Sequence, residues 1–210
     1  MARSTPVQRE TVLQVARDLF AVQGYRGTSM RDIAEVLDVR APSLYNHVTS
    51  KQDLLTAIMN TAMDRALGAL EEALRGVEDV SDQLRRATES LVLDFLRFPN
   101  EVTICNQEVR SLDELTRPAI IDKRDRYGHR LRSIIDAGCA SGRFRTASPQ
   151  LASYAVLELG NGAKAWFRPG GTFNEQDVAD AYGEFALRVV GDVGVSLPPM
   201  CSRADQLTTS

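Results

Sequence analysis

Between residues 41 and 51 the sequence reads Ala-Pro-Ser-Leu-Tyr-Asn-His-Val-Thr-Ser-Lys. Leu44 and Val48 stand one helical turn apart and fit an inward-facing pair. That leaves Ala41, Pro42, Ser43, Tyr45, Asn46 and His47 turned outward. The outward set holds no acid, and it lacks the Glu–Lys pairs usual on a solvated helix. Ser, Asn and His can hydrogen-bond base edges or phosphates, Pro and Ala can touch thymine methyls, and the Tyr45 phenol can donate to a phosphate. Lys51 opens the next helix, where charge, free backbone amides and a favourable dipole coincide. The chemistry available is non-covalent recognition of double-stranded DNA. The same helix–turn–helix shape also serves as a plain packing unit, and His47 taken alone is an ordinary surface histidine.

Other chemistries find less support. Gly160-Asn161-Gly162-Ala163-Lys164-Ala165 fits a relaxed dinucleotide pattern, but it lies in a helical stretch with no strand before it, so the phosphate-cradling turn cannot form. Its glycines suit close helix approach instead. No nucleophile elbow, P-loop or His-Glu-x-x-His occurs. His129 has no second ligand at metal spacing. Glu71-Glu72 reads as a solvated face. Cys105, Cys139 and Cys201 are odd in number and follow no metal or redox spacing, which fits a reducing cytoplasm. The start of the chain has no apolar core of a signal peptide, and no run reaches the roughly 18–20 apolar residues of a membrane span. The sequence therefore predicts a cytoplasmic protein that is not an enzyme, needs no cofactor and does not enter a membrane.

The elements that position residues 41–51 are helical. Residues 6–23 place Val12, Leu13, Ala16, Leu19 and Phe20 on one stripe, with Pro6 suited to the first turn and Gly24 to the stop. Ser29-Met-Arg-Asp32 reads as a capping box opening a short helix with Ile33, Ala34 and Leu37 inward. A break at Asp38-Val39-Arg40 precedes the helix carrying Leu44 and Val48. Ser50-Lys-Gln-Asp53 reads as a second capping box, opening a long helix through Leu74. Further helices are expected over about 81–98, 100–112, 118–142, 149–166 and 175–190. The class is all-α with about nine helices: a helix-turn-helix domain over 1–52, a larger helical domain over 53–190, and a flexible tail over 191–210.

Charge needs the same division. The net −3 of the whole chain argues against a nucleic-acid partner, but residues 1–52 carry seven basic and five acidic residues, or +2. The remainder holds 18 basic and 23 acidic residues, or −5. Such asymmetry points toward nucleic-acid contact in the first part.

Residues 8–55 resemble the N-terminal domain of the tetracycline-repressor (TetR) family of bacterial transcriptional regulators. The resemblance rests on Gly24-Tyr-Arg-Gly-Thr-Ser-Met-Arg-Asp-Ile-Ala34, on Pro42-Ser-Leu-Tyr-Asn-His-Val48, and on Ser50-Lys51 with Leu54-Leu55. Asp38 stands where many members have Gly, and Asp tolerates a left-handed turn better than most residues. Val48 replaces a commoner Phe. The resemblance implies a homodimer that binds a palindromic operator through its third helix, most often as a repressor, and lets go when a small molecule enters the larger domain. It places Arg31, Pro42, Ser43, Tyr45, Asn46, His47 and Lys51 on DNA-contacting positions.

For the effector, it draws attention to Met59, Met63, Phe95, Phe98, Ile104, Leu112, Tyr127 and Trp166, any one of which more often belongs to a plain core. Arg110, Arg117, Lys123, Arg124, Arg130, Lys164 and Arg168, with the run Trp166–Gly171, resemble acyl-CoA-responsive members. The expected effector is an apolar small molecule, with an acyl-CoA as the candidate. Leu151, Tyr154, Ala155, Leu159, Gly162, Ala163, Tyr182, Phe185, Ala186 and Val189 supply more apolar surface than a terminal helix pair needs, and so form the expected dimer face. The rival reading is a helical ligand-binding or scaffold protein without DNA binding.

Overall fold

Alternating inward stripes and capped ends produce nine α-helices and one short 3-10 turn among the described residues, 8–194, of the computed structural model. No strand occurs among them. α1 (Arg9–Gln23) buries Val12, Ala16 and Phe20 and stops at Gly24, whose φ of 78° requires glycine. Pro6 lies outside the described residues. α2 (Met30–Val36) begins with the expected capping box: the Ser29 hydroxyl accepts from the Asp32 N–H at 3.2 Å, and the Asp32 carboxylate accepts from the Ser29 N–H at 2.7 Å. The Ser29 N–H, and next the Ser29 hydroxyl beside it, hold the Asp32 carboxyl below its ordinary pKa.

The break before the next helix is made by Asp38, which has φ 52°, the sole positive value outside glycine among the described residues. α3 is shorter than its sequence suggests. Its α-helical part is Ala41–Leu44, and the chain then tightens into a turn in which His47 N–H and Val48 N–H both donate to the Leu44 carbonyl, at 2.9 and 3.1 Å. Leu44 and Val48 are still buried together, because the tighter turn keeps both on one side.

α4 (Lys51–Leu74) has 24 residues, about 36 Å of helix. Its Ser50 cap forms as expected, but the box is only half closed, since Asp53 accepts from the Thr49 N–H rather than from its own cap residue. α5 (Val80–Arg97), α6 (Pro99–Gln107), the 3-10 turn Val109–Ser111, α7 (Arg117–Ala140), α8 (Pro149–Trp166) and α9 (Glu175–Val189) follow. The single helix expected over 100–112 is therefore two pieces, with Glu108 between them.

The core has three parts. One joins Val12, Phe20, Ile33, Leu44 and Val48 to Leu54, Leu55, Ile58 and Met59 of α4, and to Ile104, Leu112 and Ile120. The hydrophobic interior of the first fifty residues is thus completed by α4, α6 and α7, and no gap in packing falls at residue 52. The second is built by α4, α5, α7, α8 and α9 around Leu70, Leu84, Leu131, Ile135 and Leu187. The third lies between α5, α8 and α9, around Val92, Ala163 and Ala179. The expected flexible tail falls mostly on residues 195–210, outside the described ones. Its first residues are tied down: Val193 N–H donates to the Arg143 carbonyl at 3.1 Å, and the Arg143 guanidinium pairs with Asp192 at 2.8 Å.

Gly138 shows how tightly the second core is filled. The Phe144 ring occupies the place where a Cβ at position 138 would sit, and the chain turns there so that the Phe144 N–H donates to the Gly138 carbonyl at 2.9 Å. Gly138→Ala is expected to lower the free energy of unfolding by about 1–3 kcal/mol through this overpacking, read from the midpoint of urea denaturation at unchanged slope.

Candidate nucleic-acid interface and effector cavity

Ile33 and Ala34 of α2 and Leu44 and Val48 of the α3 turn are buried. Fixing those four fixes what faces out. Arg31, Pro42, Tyr45 and Asn46 are exposed, Tyr45 at 56%, while Ser43 and His47 are half-buried. No carboxylate occurs from Val39 to Ser50. Six of the seven DNA-contacting candidates thus lie on the α2–α3 unit with their polar groups available.

Lys51 behaves differently. Its ammonium donates to the Tyr25 carbonyl at 2.8 Å and the Thr28 carbonyl at 2.7 Å, and sits 4.2 Å from the centre of the Tyr25 ring. Two of its three N–H donors therefore brace the α1–α2 turn. The carbonyls lie within reach of its four-carbon stem, and they draw the charge inward.

Tyr25 is a junction. Its ring meets Phe20 edge-on at 5.2 Å. Its N–H donates to Glu108 Oε1 at 3.1 Å, and the other carboxylate oxygen accepts from Ser111 Oγ at 2.7 Å. With the Gln52 amide turned to satisfy both ends, its NH2 donates to the Tyr25 hydroxyl at 2.9 Å and its oxygen accepts from the Asp113 N–H at 2.7 Å. Burial, then the Asp113 and Glu108 carboxylates, raise the Tyr25 pKa. A second tie lies one helix away, where Arg17 of α1 pairs with the buried Glu101 of α6 at 3.2 Å. The first three helices are therefore gripped through both ends of α6.

Val102, Cys105 and Asn106 of the same helix border a cavity. It encloses about 550 Å³ between α4, α5, α6, α7 and α8, within the range of small-molecule sites. Met63, Phe95 and Tyr127 line it, as the sequence suggested. Met59, Phe98, Leu112, Trp166 and Arg168 do not. Met59 and Leu112 are sealed in the first core at 0% and 1% exposure, because Met59 lies one turn nearer the N-terminal helices than Met63. The Phe98 ring lies 3.6 Å beneath the Arg65 guanidinium. Trp166 is exposed at the far end of α8, stacked edge-on with Phe173, and Arg168 donates to the Phe167 carbonyl.

Several cavity groups escaped the sequence reading. Arg65 and Asp94 form an ion pair at 2.8 Å in the wall, with Asp94 only 9% exposed. The sequence held a signal for this: Asp94 falls three residues after Leu91, on the apolar stripe of α5. Cys105 also borders the cavity, its thiol pushed up to about 12 by burial and so fully protonated. His129, with no metal partner in sequence, stands at the exposed side with Arg124 and Arg132. Among the described residues no cluster of His, Cys, Asp or Glu could hold a metal ion.

Of the cations proposed for CoA phosphates, Lys123 is paired with Asp64 at 2.7 Å and Arg117 is bound to the Leu112 carbonyl. Arg124 and Lys164 border a polar basin that shares Asn106, Arg124, Glu158 and Asn161 with the cavity. Lys164 donates to Thr103 Oγ1 at 2.8 Å, and burial lowers its pKa. On α8 and α9, Leu151, Tyr154, Ala155, Gly162 and Val189 are exposed, and Leu159, Tyr182 and Phe185 are half-buried. Ala163 and Ala186 are fully buried and leave the expected dimer face, since their helical phase turns them into the subunit.

Comparison with known proteins agrees with this geometry. Residues 12–58 match the profile of bacterial regulatory proteins of the tetR family, and residues 77–190 that of the tetracyclin repressor-like C-terminal domain. The HTH-type transcriptional repressor KstR2 of Mycolicibacterium smegmatis is 25% identical over 191 residues, covering 87% of this chain and 92% of its own. The crystal structure of the regulator PfmR from Thermus thermophilus is 34% identical with a TM-score of 0.76, covering 88% of this chain and 97% of that one. AibR in complex with isovaleryl coenzyme A and operator DNA is 25% identical with a TM-score of 0.76, covering 88% and 98%. No helix among the described residues is long and apolar enough to cross a membrane. With its two profiles lying in the expected order along the chain, the protein belongs to the TetR family and is a helix-turn-helix, DNA-binding transcriptional regulator.

Proposed function

We propose that the protein is a cytoplasmic homodimeric repressor, catalysing no reaction, that leaves a palindromic operator when an apolar small molecule fills the cavity. The observation that carries this reading is the position of α6, with Val102 and Cys105 on the cavity and Glu101 and Glu108 on the DNA-binding helices. Residues 1–52 read the DNA, and 53–190 hold the effector and the partner subunit. The exposed stripe of α8 and α9 supports a two-fold interface, and two-fold symmetry sets two half-sites about one turn of B-DNA apart.

Arg31, Pro42, Ser43, Tyr45, Asn46 and His47 are assigned to DNA contact. Lys51 is assigned mainly to bracing the turn that carries them. Release is a shift of population: a ligand that favours a displaced α6 moves Tyr25 and Arg17, and with them α3, out of register with the major groove. The usual coupling range predicts operator binding weaker by about 5–150-fold when effector is saturating. An acyl-CoA is the candidate effector, supported by AibR and by the basin that Arg124 and Lys164 border. Thermal-shift screening with isovaleryl-CoA and longer acyl-CoAs tests this, and no stabilisation by any CoA thioester would remove it.

Three substitutions separate the roles. Tyr45→Ala is expected to abolish the electrophoretic shift of DNA flanking the protein's own gene, with the dimer intact in sedimentation. Unchanged affinity at matched salt would count against α3 as the reading element. Lys51→Met should lower the thermal midpoint, as the two carbonyls lose their donor, and weaken all DNA sequences alike. Glu108→Ala should leave thermal stabilisation by an effector in place yet reduce the effector's power to release DNA, measured as the ratio of operator affinities with and without it. A ratio equal to wild type would disconnect Glu108 from the coupling.

A further inference from the structure

Glu101 and Glu108 grip the DNA-binding helices from one side of α6. At 3.6 residues per turn, Thr103 and Asn106 fall on the other side. There they meet α8. The Lys164 ammonium donates to Thr103 Oγ1 at 2.8 Å, and the Thr103 hydroxyl donates in turn to the Pro99 carbonyl at 2.8 Å. The Asn106 NH2 donates to the Asn161 amide oxygen at 2.9 Å, and the Asn161 NH2 donates to Glu158 Oε2 at 3.1 Å. Among the described residues, these two ties are the side-chain hydrogen bonds that join α6 to α8. Val102 and Cys105 of α6 and Leu157 of α8 line the cavity between the helices, so apolar packing is interrupted beside the ties. Lys164 forms no ion pair among the described residues. Burial lowers its pKa, a cost that a turn into solvent would remove, yet the ammonium is directed at a neutral hydroxyl. The same helix exposes Leu151, Tyr154, Ala155 and Gly162, and Gly162 stands between Asn161 and Lys164.

We propose that the two ties fix the spacing of the paired DNA-reading heads, with Lys164 and Asn161 as positioning residues that act through α6. The proposal rests on α8 forming the homodimer face. α8 then lies against the partner subunit while α6 carries the reading unit, so the ties connect the two-fold axis to the DNA-binding helices. Two heads reinforce each other only while their separation matches the DNA. With the ties removed, α6 keeps Ile104 and Cys105 in the first core and moves with the head, and the separation of the heads spreads over a range. Each head still presents α3 as before, because Leu44 and Val48 stay buried. Ties that served the fold alone would affect one head and two heads alike.

The test uses full-length wild type, the double variant Thr103→Val with Asn161→Ala, and Thr103→Ser, which keeps the hydroxyl. With no effector present and at one salt concentration, each is titrated with three kinds of duplex. These are the palindrome that the wild type selects from a random pool, one half of it, and versions with the spacer altered by one base pair. The double variant is expected to remain a dimer in sedimentation and to bind the half-site as the wild type does. Its preference for the palindrome over the half-site should fall about fivefold or more, and altering the spacer should cost it less affinity than it costs the wild type. Thr103→Ser should match the wild type. A double variant that keeps both the preference and the spacer dependence overturns the inference, and so does an equal loss on half-site and palindrome. If the double variant is not a dimer, Thr103→Val alone is read in its place by the same criteria. A wild type that is monomeric, or that binds the palindrome no better than its half, removes the homodimer reading itself.

Discussion

A DNA-reading unit of about fifty residues can bury only a marginal core of its own, and that constraint organises the molecule. Val12, Phe20, Ile33 and Leu44 supply only part of an interior, so Leu54, Ile58 and Met59 of α4 and Ile104, Leu112 and Ile120 close it. Once those residues are shared, the orientation of α3 cannot be independent of α4 and α6. The polar ties at Glu101–Arg17 and Glu108–Tyr25 then turn a common core into a defined orientation. They flank the residues of α6 that border the cavity, Val102 and Cys105, so a helix of nine residues touches both the cavity and the DNA-binding unit. In such a packed arrangement displacement of α6 cannot be absorbed locally, because well-packed interiors transmit strain.

The recognition unit was legible in sequence for a physical reason: its determinants are local. The Ser29–Asp32 box, the left-handed Asp38 and the Leu44–Val48 pair each act over four residues or fewer, so spacing suffices to place them. Periodicity also located the long helices to within a few residues. It could not tell a packed interior from a hollow one. Met59 and Met63 share a stripe on α4, yet one is sealed in the first core and the other lines the cavity. Trp166, expected at the effector, faces out, and Ala163, expected on the dimer face, is buried. That Lys51 also braces the Tyr25 and Thr28 carbonyls could not be read from spacing, because they are more than twenty residues away. Asp94 also went unremarked, although an acid on an apolar stripe demands a buried partner, which Arg65 supplies.

The net charge of −3 is an average over parts that meet different surroundings. The larger, acidic part faces solvent, an effector and a second copy, and none of those requires positive charge overall. The first 52 residues carry only +2, and Lys51, one of their seven basic groups, is largely committed to backbone carbonyls. Few phosphates can therefore be neutralised by one subunit, and sequence-independent attraction, which scales with that number, is weak. Affinity has to come from the shape and hydrogen bonding of α3, doubled by the second subunit. When two weakly bound heads are held on one rigid frame, the second binds at a high effective concentration, but only while their spacing matches the DNA. A modest charge on each head thus makes operator binding dependent on the geometry of the dimer, and the proposed displacement of α6 acts on that geometry.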